Sequence, residues 1–91
     1  MDVTESPTKR IRQRLQLTQT QFAAIAGVSK GHMSEVEAGI APLGDKLKVF
    51  LEEISIDAET VAEKHKIYMG FKRRQHRAAA ERIVQAEELS P

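Results

Sequence analysis

Apolar residues recur along most of this chain at intervals of three and four positions, a spacing that predicts helices. Ile11 and Leu15 lie four positions apart and predict the buried face of a first helix that ends near Leu15. Ser6 and Pro7 supply a cap and a favoured first-turn proline for that helix. Residues 1–5 lack periodicity and predict a flexible arm. No segment alternates as a strand does, so the pattern indicates an all-helical chain.

The next segment predicts two short helices joined by a tight turn. Thr18 and Gln21 have the spacing of a capping box, so the second helix begins at Thr18. Gly27 stands where a left-handed residue ends that helix, and Ser29 can cap a third helix immediately afterwards. The apolar positions expected to face inward from the two helices are Phe22, Ala23, Ala26, Met33 and Val36.

Beyond a loop at residues 40–42, the spacing predicts further helices. The apolar stripe of a fourth helix is formed by Leu47, Phe50, Leu51 and Ile54. Asp57 can cap a fifth helix that carries Val61. Gly70 either breaks the chain before a last helix or is a weak point in one long helix, since glycine is about 1 kcal/mol less favourable than alanine there. The stripe of this last helix is formed by Ala79, Ile83, Ala86 and Leu89.

Composition narrows the class of protein. A chain of 91 residues is one small domain with limited stability, which a dimer would increase. The absence of cysteine excludes disulfides and thiolate metal sites and favours the cytoplasm. The chain has neither an apolar run of 18 residues nor a signal-like start, so we expect no membrane span and no secretion.

The sequence gives no sign of catalysis. It contains no phosphate-binding glycine loop, no His-Glu-x-x-His pattern and no cysteine nucleophile. His32, His65 and His76 are too far apart for metal-ligand spacing, so we expect surface histidines. We therefore predict no enzyme activity, no metal and no cofactor.

A family resemblance rests on residues 17–39. The run Leu-Thr-Gln-x-x-Phe-Ala-x-x-Ala-Gly-Val-Ser from Leu17, with Met33 and then Glu37-x-Gly39, resembles the Cro/repressor-type (XRE family) helix-turn-helix. The similarity extends from about Ile11 to Asp57. It implies a five-helix, lambda-repressor-like helix-turn-helix DNA-binding domain at residues 6–57, followed by a helical C-terminal extension at residues 58–91.

The resemblance also implies a DNA-binding surface. Counting at 3.6 residues per turn, the face of the third helix opposite Met33 and Val36 carries Lys30, Gly31, Ser34 and Glu35. Lys30 would donate to guanine or to a phosphate, whereas Glu35 is either a cytosine reader or a solvated carboxylate. Gln19 would hold a phosphate. The complete predicted set is Thr18, Gln19, Ser29, Lys30, Gly31, His32, Ser34 and Glu35.

One charged pair is expected to be structural. The family places a carboxylate at the position of Glu37 that pairs with an arginine of the first helix, which corresponds to Arg12. A pair of this kind is costly to break from one side when it is buried.

Net charge gives little support to DNA binding. Residues 1–57 carry seven Lys and Arg against eight Asp and Glu, so their formal net charge is −1. Local clusters are more favourable. The candidate phosphate contacts are Lys9, Arg10, Lys72, Arg73, Arg74 and Arg77. The extension is either a dimerisation or core-covering helix with a solvated basic face, or a basic arm that grips phosphates or RNA.

The sequence thus predicts a sequence-specific DNA-binding regulator, most readily a repressor, that binds an inverted-repeat operator as a homodimer. The competing interpretation is a protein-interaction module, such as an antitoxin or antirepressor, that uses the helical fold to bind a protein partner. The net negative charge of residues 1–57 favours the second interpretation.

Overall fold

The computed structural model describes residues 4–88, and this part of the chain is all-helical, as predicted. The helices are α1 (Pro7–Arg14), α2 (Gln19–Ala26), α3 (Lys30–Glu37), α4 (Asp45–Glu53) and α5 (Ala58–Glu88). Residues 1–3 of the predicted arm, and Leu89 of the last predicted stripe, lie outside the described residues. None of these helices is both long enough and apolar enough to cross a membrane within residues 4–88.

The core forms where α2, α3 and α4 meet. Phe22, Met33 and Leu47 have no exposed surface, and the ring of Phe22 meets that of Phe50 edge to face with centroids 5.5 Å apart. Leu43 is also buried, so the loop before α4 contributes to the core as well as connecting two helices. The inward-facing positions predicted for the second and third helices are all buried, namely Phe22, Ala23, Ala26, Met33 and Val36.

Two apolar residues predicted to be buried are instead substantially exposed. Leu15 and Ile54 keep 43% and 36% of their surface and stand at the C-caps of α1 and α4. After each cap, a residue with positive φ turns the chain: Gln16 at 58° and Ser55 at 63°.

The residue that follows each of these turns packs on the core instead. Leu17 and Ile56 are partly buried against it. Their amides bond back to Arg12 O at 3.1 Å and Leu51 O at 2.9 Å, closing the ends of α1 and α4. This is the Schellman arrangement, in which an apolar residue beyond the cap contacts the helix. The predictions for Leu15 and Ile54 were wrong because periodicity was extended through residues that end their helices.

Helix α5 is continuous over 31 residues and about 46 Å long, so Gly70 does not break it. Its first half packs on α1 and α4. The residues that it buries are Ala58, Val61, His65 and Tyr68. The core therefore extends past the boundary at residue 57 that the sequence predicts, whereas the side chains at 73–87 are exposed.

His65 is not the surface histidine that the sequence predicts. It is 2% exposed because it falls on the buried stripe of α5, and its Nε2 lies 2.8 Å from Ala41 O. A carbonyl oxygen only accepts, so Nε2 carries the proton. Nδ1 is buried without a hydrogen-bond partner. The interval of three or four positions from Val61 to His65 to Tyr68 is the sequence signal for this burial.

We expect mild acid to destabilise the fold through His65. Burial lowers the pKa of His65 below its ordinary value of 6.5, with the Ala41 hydrogen bond acting weakly against it. As the pH falls below 6.5, the unfolded chain binds this proton before the folded chain does, so the free energy of unfolding decreases until the folded pKa is passed.

Urea unfolding at a pH above and a pH below 6.5 measures this effect. The control is His65→Gln, whose amide can donate to Ala41 O without titrating over this interval. A pH dependence that is the same in both proteins would exclude His65 as its source.

Candidate nucleic-acid interface

The N-terminus of α2 is built as the sequence predicts. Thr18 Oγ1 accepts a hydrogen bond from the Gln21 amide at 3.1 Å, and Gln21 Oε1 accepts one from the Thr18 amide at 2.9 Å. This is a complete capping box, which satisfies two backbone donors where α2 begins. The start of α2 is therefore specified by two residues three positions apart in the sequence.

The turn between α2 and α3 is also as predicted. Gly27 has a φ of 75° and ends α2 in the left-handed conformation. The Val28 amide bonds back to Ala23 O at 3.0 Å. Ser29 then caps α3, because its Oγ accepts from the His32 amide at 2.9 Å. Only Val28 thus separates the residue that ends α2 from the residue that caps α3.

Helix α3 has two distinct faces. Met33 and Val36 are completely buried. The residues predicted for the opposite face are all exposed, namely Lys30, Gly31, Ser34 and Glu35. Lys30 and Ser34 provide donors and Glu35 provides an acceptor, and Gly31 leaves the backbone approachable. The exposed face therefore presents hydrogen-bonding groups on a helix that is fixed from behind.

Two predicted contact residues at helix starts keep free donor capacity. Thr18 and Ser29 are both exposed. Their side-chain oxygens accept the cap hydrogen bonds, so each hydroxyl proton can still be donated. A hydroxyl at the N-terminus of a helix suits a bound anion, because the adjacent amides and the helix dipole favour negative charge.

His32 has an intramolecular partner. Its Nε2 lies 2.9 Å from Leu43 O, and the ring is half-buried. Because the carbonyl accepts, Nε2 carries the proton and donates it to Leu43 O, so this donor is used within the fold. The geometry supports a role in holding the loop before α4 against α3.

The predicted ion pair between Arg12 and Glu37 is present. Arg12 Nε donates to Glu37 Oε2 at 2.8 Å, and the second terminal nitrogen donates to Oε1 at 2.9 Å. Only 15% of the arginine side chain and 5% of the glutamate side chain are exposed. The hydrogen bonds to Glu37 raise the pKa of Arg12 above its ordinary value, against the effect of burial.

Gln19 belongs to the same cluster. Its Nε2 donates to Glu37 Oε1 at 3.1 Å, so this part of its amide is held inside the fold and does not reach out toward a phosphate. Arg12, Gln19 and Glu37 lie on α1, α2 and α3, so the cluster ties three helices together. Tyr68 adds α5 to the arrangement by donating its hydroxyl to Glu37 O at 2.7 Å.

The candidate phosphate contacts divide into two groups. Lys9, Arg10 and Lys72 line one groove between α1 and α5, at the end of α3 where Glu37 lies. Arg10 also lies 3.7 Å from Glu5, in a half-exposed pair that adds little. The remaining three, Arg73, Arg74 and Arg77, are exposed farther along α5. The groove is separated from Lys30 by the length of α3, about 12 Å.

Comparison with protein-family models, curated proteins and solved structures gives no match.

Lys46 is a further basic residue beside α3. It lines a groove at the start of α4 together with Ser29, His32 and Gly44. Gly44, the N-cap of α4, makes no side-chain cap, so the first amides of this helix are not capped by a side chain. A lysine in the first turn of a helix is unfavourable to the helix dipole, and Asp45 offsets it in the same turn; this placement is the sequence signal for Lys46 as a candidate contact residue.

Proposed function

We propose that this chain is a sequence-specific DNA-binding transcriptional regulator of the Cro/repressor type, which works in the cytoplasm as a homodimer on an inverted-repeat operator. The observation that carries the proposal is the pairing of α2 and α3 around Gly27 and Ser29, with Lys30, Ser34 and Glu35 exposed on the outer face of α3. In helix-turn-helix proteins, the second of two such helices enters the major groove.

The chemistry of α3 supports direct reading of bases. The major groove is about 12 Å wide and accepts a single helix. Lys30 can donate to guanine O6 and N7, Ser34 can donate or accept, and Glu35 can accept from cytosine N4. Because Lys30 and Gly31 lie in the first turn, α3 would enter the groove by its N-terminus.

Helix N-termini provide the proposed phosphate contacts. Helix α2 begins beside Thr18 and helix α4 beside Lys46, and the positive end of each helix dipole favours an anion. Contacts of this kind fix the register of the protein on the duplex without reading sequence. They also offset the net −1 charge of residues 1–57, which comes from seven basic against eight acidic side chains.

The buried cluster gives the surface its rigidity. Arg12, Gln19 and Glu37 bond to one another across α1, α2 and α3. A recognition helix held in place before binding loses less conformational entropy when it meets DNA. The likeness to the Cro/repressor pattern includes this pair of charges, and repression would follow from occupying promoter DNA.

Selection of bound sequences from a random duplex pool tests the proposal. The expected result is an inverted repeat whose half-sites are about one helical turn apart. Affinity for that repeat should fall steeply with salt, in proportion to the phosphates neutralised. Recovery of no motif, or of binding that is blind to sequence, would contradict the proposal.

Lys30→Ala should weaken binding to the selected operator by about 1–3 kcal/mol and relax specificity at one position of each half-site. Lys46→Ala should weaken binding to all sequences alike and reduce the salt slope. The matched control is Lys66→Ala, which removes an exposed lysine from α5. Titration of each variant against operator and scrambled duplexes measures both effects. Equal affinities of Lys30→Ala and Lys66→Ala for the operator would show that Lys30 does not contact DNA.

A protein-interaction module is the second candidate function, and one surface favours it. Ile25 and Val49 keep more than half of their surface exposed and line the same groove between α2 and α4, together with the edge of Phe50. The groove is also lined by Asp45, Lys46 and Glu53, and an exposed apolar pair with a charged rim fits a protein partner such as a toxin. Ile25→Ser with Val49→Ser should abolish capture of such a partner and leave operator binding unchanged.

A further inference from the structure

The free half of α5 carries a small apolar seam. Ala79, Ala80, Ile83 and Val84 follow one another at helical spacing, and all four are exposed. Ile83 retains 61% of its surface. Within the seam, Ala79 and Ile83 continue the direction of Val61, His65 and Tyr68, which are buried on the core earlier in the same helix, and Ala80 and Val84 lie to one side of that direction. The helix thus keeps an apolar side after it has left the core.

Charge along this half of α5 is segregated. Residues 72–77 carry four basic side chains and no acidic ones, whereas residues 81–88 carry three glutamates and one arginine. Two such helices repel each other when parallel, because the basic segments lie side by side. Antiparallel helices place the basic segment of each opposite the acidic segment of the other.

We propose that α5 pairs with α5 of a second copy in an antiparallel arrangement with two-fold symmetry. In the register that centres the seam, Ala80 of each copy lies opposite Ile83 of the other, and Ala79 and Val84 flank this central pair on its two sides. The central contact joins a small side chain to a larger one, which lets the helices approach closely and fill the seam without overlap. The same surface patch serves both copies, as a two-fold interface requires.

The register also satisfies the charges at the ends of the seam. His76 of each copy lies opposite Glu87 of the other, and Arg73 is about one turn away from that glutamate. Glu81 already pairs with Arg77 within its own helix at 3.2 Å. The ends of the seam thus bring the Arg73 guanidinium of one copy near the Glu87 carboxylate of the other, which opposes a shift of one helix along the other.

The pairing also sets the spacing of the two domains. In this register the Lys72 positions of the two copies lie about 28 Å apart along the helix axes. Lys72 contacts the end of α3, since a Cβ added at Gly39 would lie 2.7 Å from Lys72 Cγ. The pairing itself is independent of DNA and is tested without it.

Sedimentation equilibrium of the full chain over the micromolar range provides the first test. The seam is short, so we expect a dimer that dissociates on dilution. Ile83→Glu should raise the dissociation constant about 100-fold or more, because two uncompensated carboxylates enter the seam. The matched control is Ala78→Glu, which adds the same charge on the opposite, exposed face of α5 and should leave the dissociation constant within about twofold. Circular dichroism should show equal helicity in both variants.

Cysteine cross-linking tests the direction of pairing. The chain has no cysteine, so His76→Cys and Glu87→Cys each create a unique thiol. Antiparallel pairing predicts a disulfide-linked dimer only when the two variants are mixed, since like positions lie about 16 Å apart. Cross-linking of each variant to itself would show parallel pairing. That result, a monomeric wild-type chain, or an unchanged dimer in Ile83→Glu would overturn the proposal, whatever the outcome of the DNA selection.

Discussion

Arg12→Ala should lower the free energy of unfolding by about 3–5 kcal/mol, because it leaves the Glu37 carboxylate buried without its ionic partner. That carboxylate is 5% exposed, and its remaining side-chain partner is the neutral amide of Gln19. In a domain of this size the change corresponds to a decrease of more than about 10 °C in melting temperature. Urea and thermal unfolding followed by circular dichroism measure the effect.

Arg14→Ala is the matched control, since Arg14 lies on the same helix but is exposed. It should change the free energy of unfolding by less than about 0.5 kcal/mol. The double variant with Arg12→Ala and Glu37→Ala should be less destabilised than the sum of the single changes, because no unpaired charge is left behind. Equal melting temperatures for Arg12→Ala and Arg14→Ala would rule out the ion pair as a source of stability.

A second large effect is expected at Gly39. Gly39→Ala should lower the free energy of unfolding by about 3 kcal/mol, because alanine is strained in a left-handed backbone and its methyl group would clash with α5. The φ of Gly39 is 78°, and an added Cβ would lie 2.7 Å from Lys72 Cγ and 3.1 Å from Tyr68 Cε2. Lys72 Cγ is close to the backbone of α5, so relief of the clash requires α5 to move away from α3.

Gly27→Ala separates the two contributions. Gly27 has nearly the same φ, 75°, but no atom lies within 4 Å of an added Cβ. This variant should therefore cost only the left-handed backbone term, about 1 kcal/mol. Chemical denaturation of both variants gives the difference, which measures how tightly α5 is seated on the end of α3. Equal decreases in the free energy of unfolding at the two glycines would mean that α5 moves to make room for the added methyl group without a loss of stability.

The turn between α2 and α3 could be predicted from the sequence because its determinants are local. Thr18, Gln21, Gly27 and Ser29 each act on backbone groups within five positions, and all four adopt the predicted roles. The exposed face of α3 followed from helical spacing alone. The pair of Arg12 and Glu37 lies 25 positions apart and became visible only through a family resemblance.

What could not be predicted depends on tertiary contacts. The amide of Gln19 is directed by Glu37, which lies 18 positions away, and no local pattern reveals that. Lys9 and Lys72 meet in one groove because α5 returns along α1. Whether Gly70 would interrupt α5 depended on packing, since the buried residues from Ala58 to Tyr68 hold the first half of the helix in place.

The unbroken course of α5 restricts how the length of this chain can vary. One end of the helix packs on the core and the other end extends away from it, and the helix is continuous between the two. Each residue inserted between Tyr68 and Ala79 would turn the outer half by about 100° and advance it by about 1.5 Å. In the pairing proposed above, one or two extra residues would therefore turn the seam away from the partner helix, whereas seven would nearly restore its direction. Along this helix, the tolerance of an insertion or deletion should depend on how far it rotates the outer half about the helix axis, and much less on how many residues it adds or removes.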